Sequence, residues 1–265
     1  MSELRLERHG EAPWRVIAIH GGPAAAGDLA PLAAELGRRF GTLEPHQRGS
    51  SDTPLSVAVH IEDLRAVIES HCDAPPILLG HSWGAMLALA FAAEHPSSAA
   101  ALLLVGCGTF SPGARKIFEE RRAAQTTPEI AAALNRVSAI EPADVRFAEY
   151  GALMNQIYGF DLIETPAPGG PFDHRAHGES WSDMVRLQES GVYPAAFRDI
   201  TVPTLMMHGD HDPHPGPETF RDLQAVIPHL EYQQLSDCGH SPWFERQARD
   251  HFFSRCEQWI LARGG

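Results

Sequence analysis

Residues 76–95 of this 265-residue chain read PILLGHSWGAMLALAFAAEH: a short apolar run, a break and a long apolar run. The first run, Pro76–Leu79, predicts a buried strand, and the Ala- and Leu-rich second run predicts a buried helix. The break reads Gly80-His81-Ser82-Trp83-Gly84, a G-x-S-x-G match in the strand–turn–helix setting of a nucleophile elbow. In so sharp a turn, the residues two before and two after the serine almost collide, which only glycine relieves. We therefore expect Ser82 to be exposed at the end of a strand.

The composition bounds the class of protein and its partners. A hydrophobic content of 43% supplies the core of one large domain, or of one domain with an insertion. The formal net charge of −13 disfavours nucleic acid and anionic membrane surfaces as partners. No apolar stretch reaches transmembrane length, and the first residues, MSELRLERHGE, lack the apolar region of a signal peptide. Four widely spaced cysteines without a C-x-x-C motif indicate reduced thiols, so we expect a cytoplasmic protein.

Strand and helix signals alternate at both ends of the chain. Helices are predicted over Asp28–Arg39, with Asp28 as N-cap, and over Val57–Cys72, Glu218–Ile227 and Pro242–Leu261. Strands are predicted at Leu4–Arg8, Val16–His20, Phe40–Glu44, Pro76–Leu79, Ala99–Val105, Thr204–His208 and Glu231–Leu235. This alternation predicts an α/β fold, a mostly parallel sheet of about eight strands with helices on both faces. Residues 1–108 and 198–265 would form this core.

The pattern changes between residues 109 and 197. Helical segments are predicted near Ala114–Gln125, Pro128–Val137 and Ala143–Tyr158. A Pro/Gly-rich piece, Thr165–Pro171, follows, and no good strand is visible. We interpret residues 109–197 as a helical lid inserted between two strands of the core.

Residues that could activate the serine follow later strands. A serine hydroxyl is a poor nucleophile near neutral pH and needs a base, which in turn needs an orienting acid. In proteins with a nucleophile elbow, the acid follows the serine in the chain and the histidine follows the acid. Asp210 and Asp212 follow the strand that ends at His208, and His240 follows the last predicted strand. Both loops lie at the edge where parallel sheets place their sites.

With these residues, the chain resembles the α/β-hydrolase fold superfamily, in the lidded branch that includes proline iminopeptidases and many carboxylesterases. The matching motifs, spread from Val16 to about Phe253, are His20-Gly21-Gly22-Pro23, Gly80-His81-Ser82-Trp83-Gly84, Gly209-x-x-Asp212 and Gly239-His240. The resemblance implies that Asp212, three residues past the strand-end glycine, is the acid, and that Asp210 stabilises the loop. It also implies that His20 and His81 brace the site.

The resemblance further implies an oxyanion hole and shows one departure. Two backbone N–H groups should face the developing oxyanion, one from Trp83 and one from Gly22. Where many relatives carry an aspartate after a strand, this chain has His46, followed by Gln47-Arg48-Gly49. The change leaves the proposed triad intact and weakens a specific prediction of peptidase activity.

A group of potential metal ligands surrounds the predicted acid. Its spacing matches no recognised ligand template, so we expect no metal, and we expect no cofactor. The group comprises His208, Asp210, His211, Asp212 and His214.

The substrate pocket is predicted to be apolar and sized for an acyl group. Candidate lining residues, for each of which core packing is an equal alternative, are Trp83, Phe110, Tyr158, Phe160, Trp181 and Trp243. A peptidase that binds a substrate ammonium would need carboxylates in the lid. The available ones are Glu141, Glu149, Glu164, Glu179 and Glu189.

These patterns favour a serine hydrolase of the carboxylesterase type acting on a small acyl substrate. A proline iminopeptidase-like enzyme is the alternative, and a ligand-binding receptor on the same scaffold, with little turnover, is a further one. A lyase or a cofactor-free oxygenase using the same residues remains open. The oligomeric state, monomer or homodimer, is also open.

Overall fold

A computed structural model of the protein describes residues 4–164 and 172–264, so the predicted Pro/Gly-rich piece 165–171 lies outside the described residues. The strands are β1 Leu6–His9, β2 Trp14–Ile19, β3 Gly41–Pro45, β4 Ile77–His81, β5 Ala101–Val105, β6 Thr204–Gly209 and β7 Glu231–Leu235. They form one sheet in the order β1-β3-β2-β4-β5-β6-β7. Only β1 pairs antiparallel, with β3. The predicted α/β fold with a mostly parallel sheet is confirmed, with seven strands in the described residues.

Helices fill the connections between the strands. Two short 3₁₀ turns, Ala195–Asp199 and Pro242–Phe244, accompany them. The α-helices are α1 Ala30–Gly37, α2 Val57–His71, α3 Trp83–Glu94, α4 Pro112–Gln125, α5 Pro128–Val137, α6 Ala143–Tyr158, α7 His174–Glu189, α8 Gly216–Gln224 and α9 Arg249–Gly264. All of α4 to α7 lies between β5 and β6, within the segment predicted to be helical.

The sheet is buried on both faces. Along β4, Leu78 packs with side chains of α2 and α3, whereas Ile77 and Leu79 pack with side chains of α1 and α9. Side chains of consecutive strand residues point to opposite faces, so an apolar run without alternation is what a doubly covered sheet requires. The helix α3 after the elbow is buried along almost its whole length, from Trp83 to Ala92.

The register of the sheet brings several strand ends to one edge. Ile19 at the end of β2 lies opposite Gly80, His81 at the end of β4 lies opposite Val105, and Gly209 at the end of β6 lies opposite Leu235. The loops that follow these strands therefore meet above the same edge, where open α/β sheets place their binding crevices.

Two predictions about helix ends are wrong. The N-cap of α1 is Leu29 rather than Asp28, because the helix starts later, with a proline in its first turn. The predicted helix Pro242–Leu261 is divided into a 3₁₀ turn and α9. Glu245 breaks it by adopting an extended conformation, with φ −89° and ψ 124°.

The helix α7 was not anticipated from the sequence. Its sequence, HRAHGESWSDMVRLQE, is polar, and its fully buried positions are Ala176, Ser180 and Met184. A small residue, a serine and one methionine at a spacing of four give only a faint apolar stripe, so the periodicity signal is weak. No helix of the described residues is both long and apolar enough to cross a membrane.

Three buried histidines predict acid sensitivity of the fold. Burial lowers the pKa of His20, His60 and His208 to about 4. In the unfolded chain a histidine titrates near 6.5, so between about pH 6.5 and pH 4 the unfolded state binds more protons. The stability contributed by burying neutral rings is therefore present above about pH 6.5 and is lost as the pH falls through about 4.

We expect the free energy of unfolding, measured by urea denaturation at constant ionic strength, to fall by several kcal/mol, as an order of magnitude, between about pH 7 and pH 4.5. His208→Gln should reduce this pH dependence, whereas His251→Gln, at an exposed position, should leave it unchanged. A free energy of unfolding that stays constant across the window would show that these rings are not held neutral.

Candidate active site

Ser82 occupies a strained turn between β4 and α3. Its φ of +54° and ψ of −118° lie outside the conformations that residues with side chains ordinarily adopt. A Cβ on Gly80 would collide with the Gly84 carbonyl oxygen, and one on Gly84 would collide with the Ile19 carbonyl oxygen of β2. Glycine at both positions thus lets the chain reverse sharply against its neighbouring strand, as expected for a nucleophile elbow.

A cavity of about 800 Å³ lies over this turn. Ser82, Trp83, Gly22 and His240 all line it, together with residues of α4 to α7. The volume is within the range of small-molecule sites. The serine, the histidine and the two residues predicted to supply oxyanion donors therefore share one cavity.

Asp212 is hydrogen-bonded to His240 behind the cavity. Nδ1 of His240 lies 2.7 Å from Oδ2 of Asp212, and the Asp212 side chain is fully buried. Burial raises the pKa of the Asp212 carboxyl, but the neighbouring His240 and His214 outweigh it and hold this pKa well below its usual range. The carboxylate is thus ionised and able to orient the His240 ring.

A second imidazole shares this carboxylate. Both Nδ1 and the backbone N–H of His214 lie 2.9 Å from Oδ1 of Asp212. The His214 ring stacks on the His240 ring, with centroids 4.6 Å apart. Burial lowers the pKa of His214, against the opposing effect of Asp212. Ligand atoms of these three residues lie within 4.8 Å of one another, as in a metal site, but both Nδ1 atoms are already hydrogen-bonded to the carboxylate.

Asp210 has a different environment. It is exposed, and its Oδ1 accepts a hydrogen bond from the backbone N–H of Cys238 at 3.2 Å. This contact ties together the loops that follow β6 and β7. The geometry agrees with the loop-stabilising role expected for Asp210.

The position of His240 is fixed from two sides. The Nε2–H of His81 donates to the His240 carbonyl oxygen at 3.0 Å. Gly106, after β5, has φ +55°, and a Cβ there would lie 2.8 Å from Nδ1 of His240. Only glycine leaves room for the imidazole at this point. His81 thus braces the site, as the resemblance implied.

Glu245 connects the His240 loop to the end of α6. Its fully buried carboxylate accepts from the backbone N–H groups of Gly239 at 2.9 Å, Phe160 at 2.9 Å and Asp161 at 2.8 Å. The backbone N–H of His240 donates to the Tyr158 carbonyl oxygen at 2.8 Å. Four hydrogen bonds therefore hold the end of α6 and the His240 loop together.

Gln47 connects the glycine turn after β2 to the Trp83 side chain. Its backbone N–H donates to Nε2 of His20 at 3.0 Å, and its side-chain amide donates to the His20 carbonyl oxygen at 2.9 Å. Its Oε1 accepts from Nε1 of Trp83 at 2.9 Å. Nδ1–H of His20 donates to the Gly21 carbonyl oxygen at 3.0 Å. These bonds brace both segments predicted to supply oxyanion donors.

The aromatic residues predicted to line the pocket divide into two groups. Tyr158 and Trp181 line the cavity with Trp83. The other three lie outside its lining: Phe110 packs against Phe197 in the core, Phe160 is 48% exposed, and Trp243 is buried against His81 and Phe252. The position of an aromatic residue near the end of a loop therefore does not tell whether its side chain packs in the core or lines the pocket.

The candidate lid glutamates also lie elsewhere. None of the five that the sequence suggested lines the main cavity. Glu141 pairs with Arg146, and Glu179 accepts from the Leu55 backbone N–H and pairs with Arg175. The carboxylates that line the cavity within the described residues are Asp28 and Glu119.

Sequence reasoning missed the contacts of Gln47, His214 and Glu245. Gln47 follows His46 in the segment that departs from the family pattern, and His214 belongs to the group of potential metal ligands. Those two patterns were the signal by which both residues could have been found. Glu245 carried no such signal, because its segment was interpreted as part of a continuous helix.

A family model described as "Alpha/beta hydrolase family" matches residues 16–250 of the chain. The chain is 25% identical to a proline iminopeptidase of Lactobacillus helveticus, over 96% of this chain and 91% of the relative. It is 29% identical to the lipase LipV of Mycobacterium tuberculosis, over 43% of this chain and 45% of the relative.

Solved structures share the fold. A thermophilic esterase from Thermogutta terrifontis superimposes with a TM-score of 0.66 at 18% identity, covering 99% of this chain and 94% of that one. At this identity the likeness establishes the fold alone.

Proposed function

Because the chain belongs to the alpha/beta hydrolase family, we propose that it is a serine hydrolase that cleaves a carboxylic ester, or a related acyl compound, through an acyl-enzyme intermediate. One observation carries the proposal. Ser82 and His240 line the same cavity, and Asp212 lies 2.7 Å from Nδ1 of His240. The three residue types needed for nucleophilic catalysis thus converge on one site.

The proposed reaction is acyl transfer to water. His240 takes the hydroxyl proton of Ser82 through Nε2 as the oxygen attacks the substrate carbonyl, while Asp212 stabilises the imidazolium that forms. The backbone N–H groups of Gly22 and Trp83 stabilise the oxyanion, and each such donor typically lowers the barrier by about 3 kcal/mol. His240 then protonates the leaving group and activates the water that cleaves the acyl-enzyme.

The second candidate is a proline iminopeptidase-like activity, which the similarity to the Lactobacillus helveticus enzyme over nearly the whole chain favours. A substrate ammonium group would then need a carboxylate, and Asp28 and Glu119 line the cavity. Glu119 is exposed and thus well solvated, which makes it a weak partner for an ammonium group. None of the five lid glutamates considered for such a site lines the cavity, so we rank the esterase first.

Two substrates separate these activities. We expect turnover of p-nitrophenyl butyrate and little turnover of L-prolyl-p-nitroanilide. An organophosphate should block the reaction and label Ser82, as identified by peptide mass spectrometry. Preference for the prolyl anilide would favour the peptidase. One equivalent of acyl-enzyme without further turnover would favour the receptor alternative.

A further inference from the structure

One face of α4 presents two guanidinium groups to the cavity. Arg115, Phe118 and Arg122 are spaced at i, i+3 and i+7, which places them along one side of a helix. All three line the cavity that contains Ser82 and His240. The helix therefore contributes two arginines and an aromatic ring to the cavity, together with the exposed Glu119.

Arg122 lies close to the proposed base through a chain of rings. Its guanidinium is 5.5 Å from the centroid of Phe118, which stacks on His214 at 4.4 Å, and His214 stacks on His240. The positive charge of Arg122 also opposes the rise that burial causes in the pKa of the Tyr158 phenol. Tyr158 packs against the His240 ring at 5.4 Å, so Arg122 stands over the catalytic end of the cavity.

No ion pair among the described residues holds the Arg122 guanidinium in this position. Among the ion pairs of the described residues, none involves Arg115 or Arg122. Arg146, the other arginine of the cavity lining, is paired with Glu141 at 2.7 Å. Nη1 of Arg122 makes a long hydrogen bond of 3.4 Å to the Tyr150 hydroxyl, and the guanidinium also interacts with the Tyr158 hydroxyl, whereas Arg115 donates to Gln188 at 2.5 Å. A half-buried guanidinium that is not paired with a carboxylate is available to bind one.

We infer that the substrate carries a carboxylate, which Arg122 binds in the cavity while the acyl carbon lies at Ser82. The inference rests on the proposed function and names its substrate class. A planar carboxylate can accept two parallel hydrogen bonds from a guanidinium, which fixes its orientation as well as its position. Arg115 starts about 10 Å further along the helix axis, and its guanidinium is already hydrogen-bonded to Gln188.

A matched pair of esters tests this substrate class. The mono-p-nitrophenyl ester of glutarate differs from p-nitrophenyl butyrate by one terminal carboxylate. After subtraction of spontaneous hydrolysis, kcat/KM of the native enzyme should be about tenfold higher for the glutarate ester, as one charge-assisted contact predicts. In Arg122→Gln this ratio should fall about tenfold.

Arg121→Gln is the control, because it removes the same charge from the next position of α4, outside the cavity lining. It should keep the native ratio. A native enzyme that cleaves the butyrate ester without preferring the glutarate ester would overturn the inference and leave the proposed function standing. So would equal ratios in Arg122→Gln and Arg121→Gln.

A binding measurement separates this inference from the proposed function. In titration calorimetry, glutarate should bind Arg122→Gln at least about tenfold more weakly than it binds the native protein or Arg121→Gln. Equal affinities would overturn the inference even if neither ester were cleaved. Absence of ester cleavage and of Ser82 labelling, with the affinity difference retained, would instead count against the hydrolase proposal.

Discussion

Ser82→Ala is expected to abolish hydrolysis of p-nitrophenyl butyrate, with kcat falling on the order of 10⁴- to 10⁶-fold. Alanine removes the only atom through which the elbow could form an acyl-enzyme, and the remaining groups can do no more than polarise a carbonyl. The substitution removes a single oxygen and adds no Cβ, so the strained backbone at φ +54° has no new contact to accommodate. The loss should therefore appear in activity rather than in folding.

Ser97→Ala, at an exposed position outside the cavity lining, is the matched control and should retain native activity. Steady-state kinetics with p-nitrophenyl butyrate, together with thermal unfolding of both variants, gives the required comparison. If Ser82→Ala kept the native rate, Ser82 would not be the nucleophile. If it lost activity together with its folded structure, organophosphate labelling of the native protein would decide the assignment.

Asp212→Asn should lower kcat by about 10⁴-fold with little change in the fold. The Asp212 carboxylate accepts from Nδ1 of His240, which leaves Nε2 free to receive the serine proton. An asparagine side chain can donate to Nδ1 instead, which favours the tautomer that carries its proton on Nε2 and cannot act as the base. Because the pKa of Asp212 is held well below its usual range, the native carboxylate stays ionised in mild acid.

Asp210→Asn gives the comparison within the same loop. Its one described side-chain hydrogen bond accepts from the Cys238 backbone N–H, and an asparagine oxygen can accept the same bond. We expect a kcat within about twofold of the native value, as for surface substitutions away from the chemistry. A large loss in Asp210→Asn with activity retained in Asp212→Asn would reverse the assignment of the acid.

The sheet could be predicted from the sequence because its signals are local. Runs such as Ala101–Val105 are apolar at every position, which is what burial on both faces demands, and turn residues bound them. The helix α7 lacked such a signal, because its buried face includes Ser180, whose hydroxyl finds its partner at His60. Ser180 and His60 are 120 residues apart in the sequence, so no local pattern indicates their contact.

The same distinction applies to the site. Ser82 and His240 stand in recognisable motifs after strands, so motif and chain order were enough to propose them, whereas Asp212 was chosen over Asp210 through the family resemblance. The roles of His214 and Glu245 depend on which backbone and side-chain groups the fold brings beside them. Arg122 belongs to the same class, since its helix could be predicted but the orientation of that helix toward Ser82 could not.

The hydrogen bonds around Glu245 have a mechanical consequence. They join Tyr158, the last residue of α6, and the two residues Phe160 and Asp161 after it to the segment bearing His240, so a displacement of this end of α6 would shift the imidazole away from Asp212. A substrate that enters the cavity without displacing His240 must therefore do so away from this end of α6.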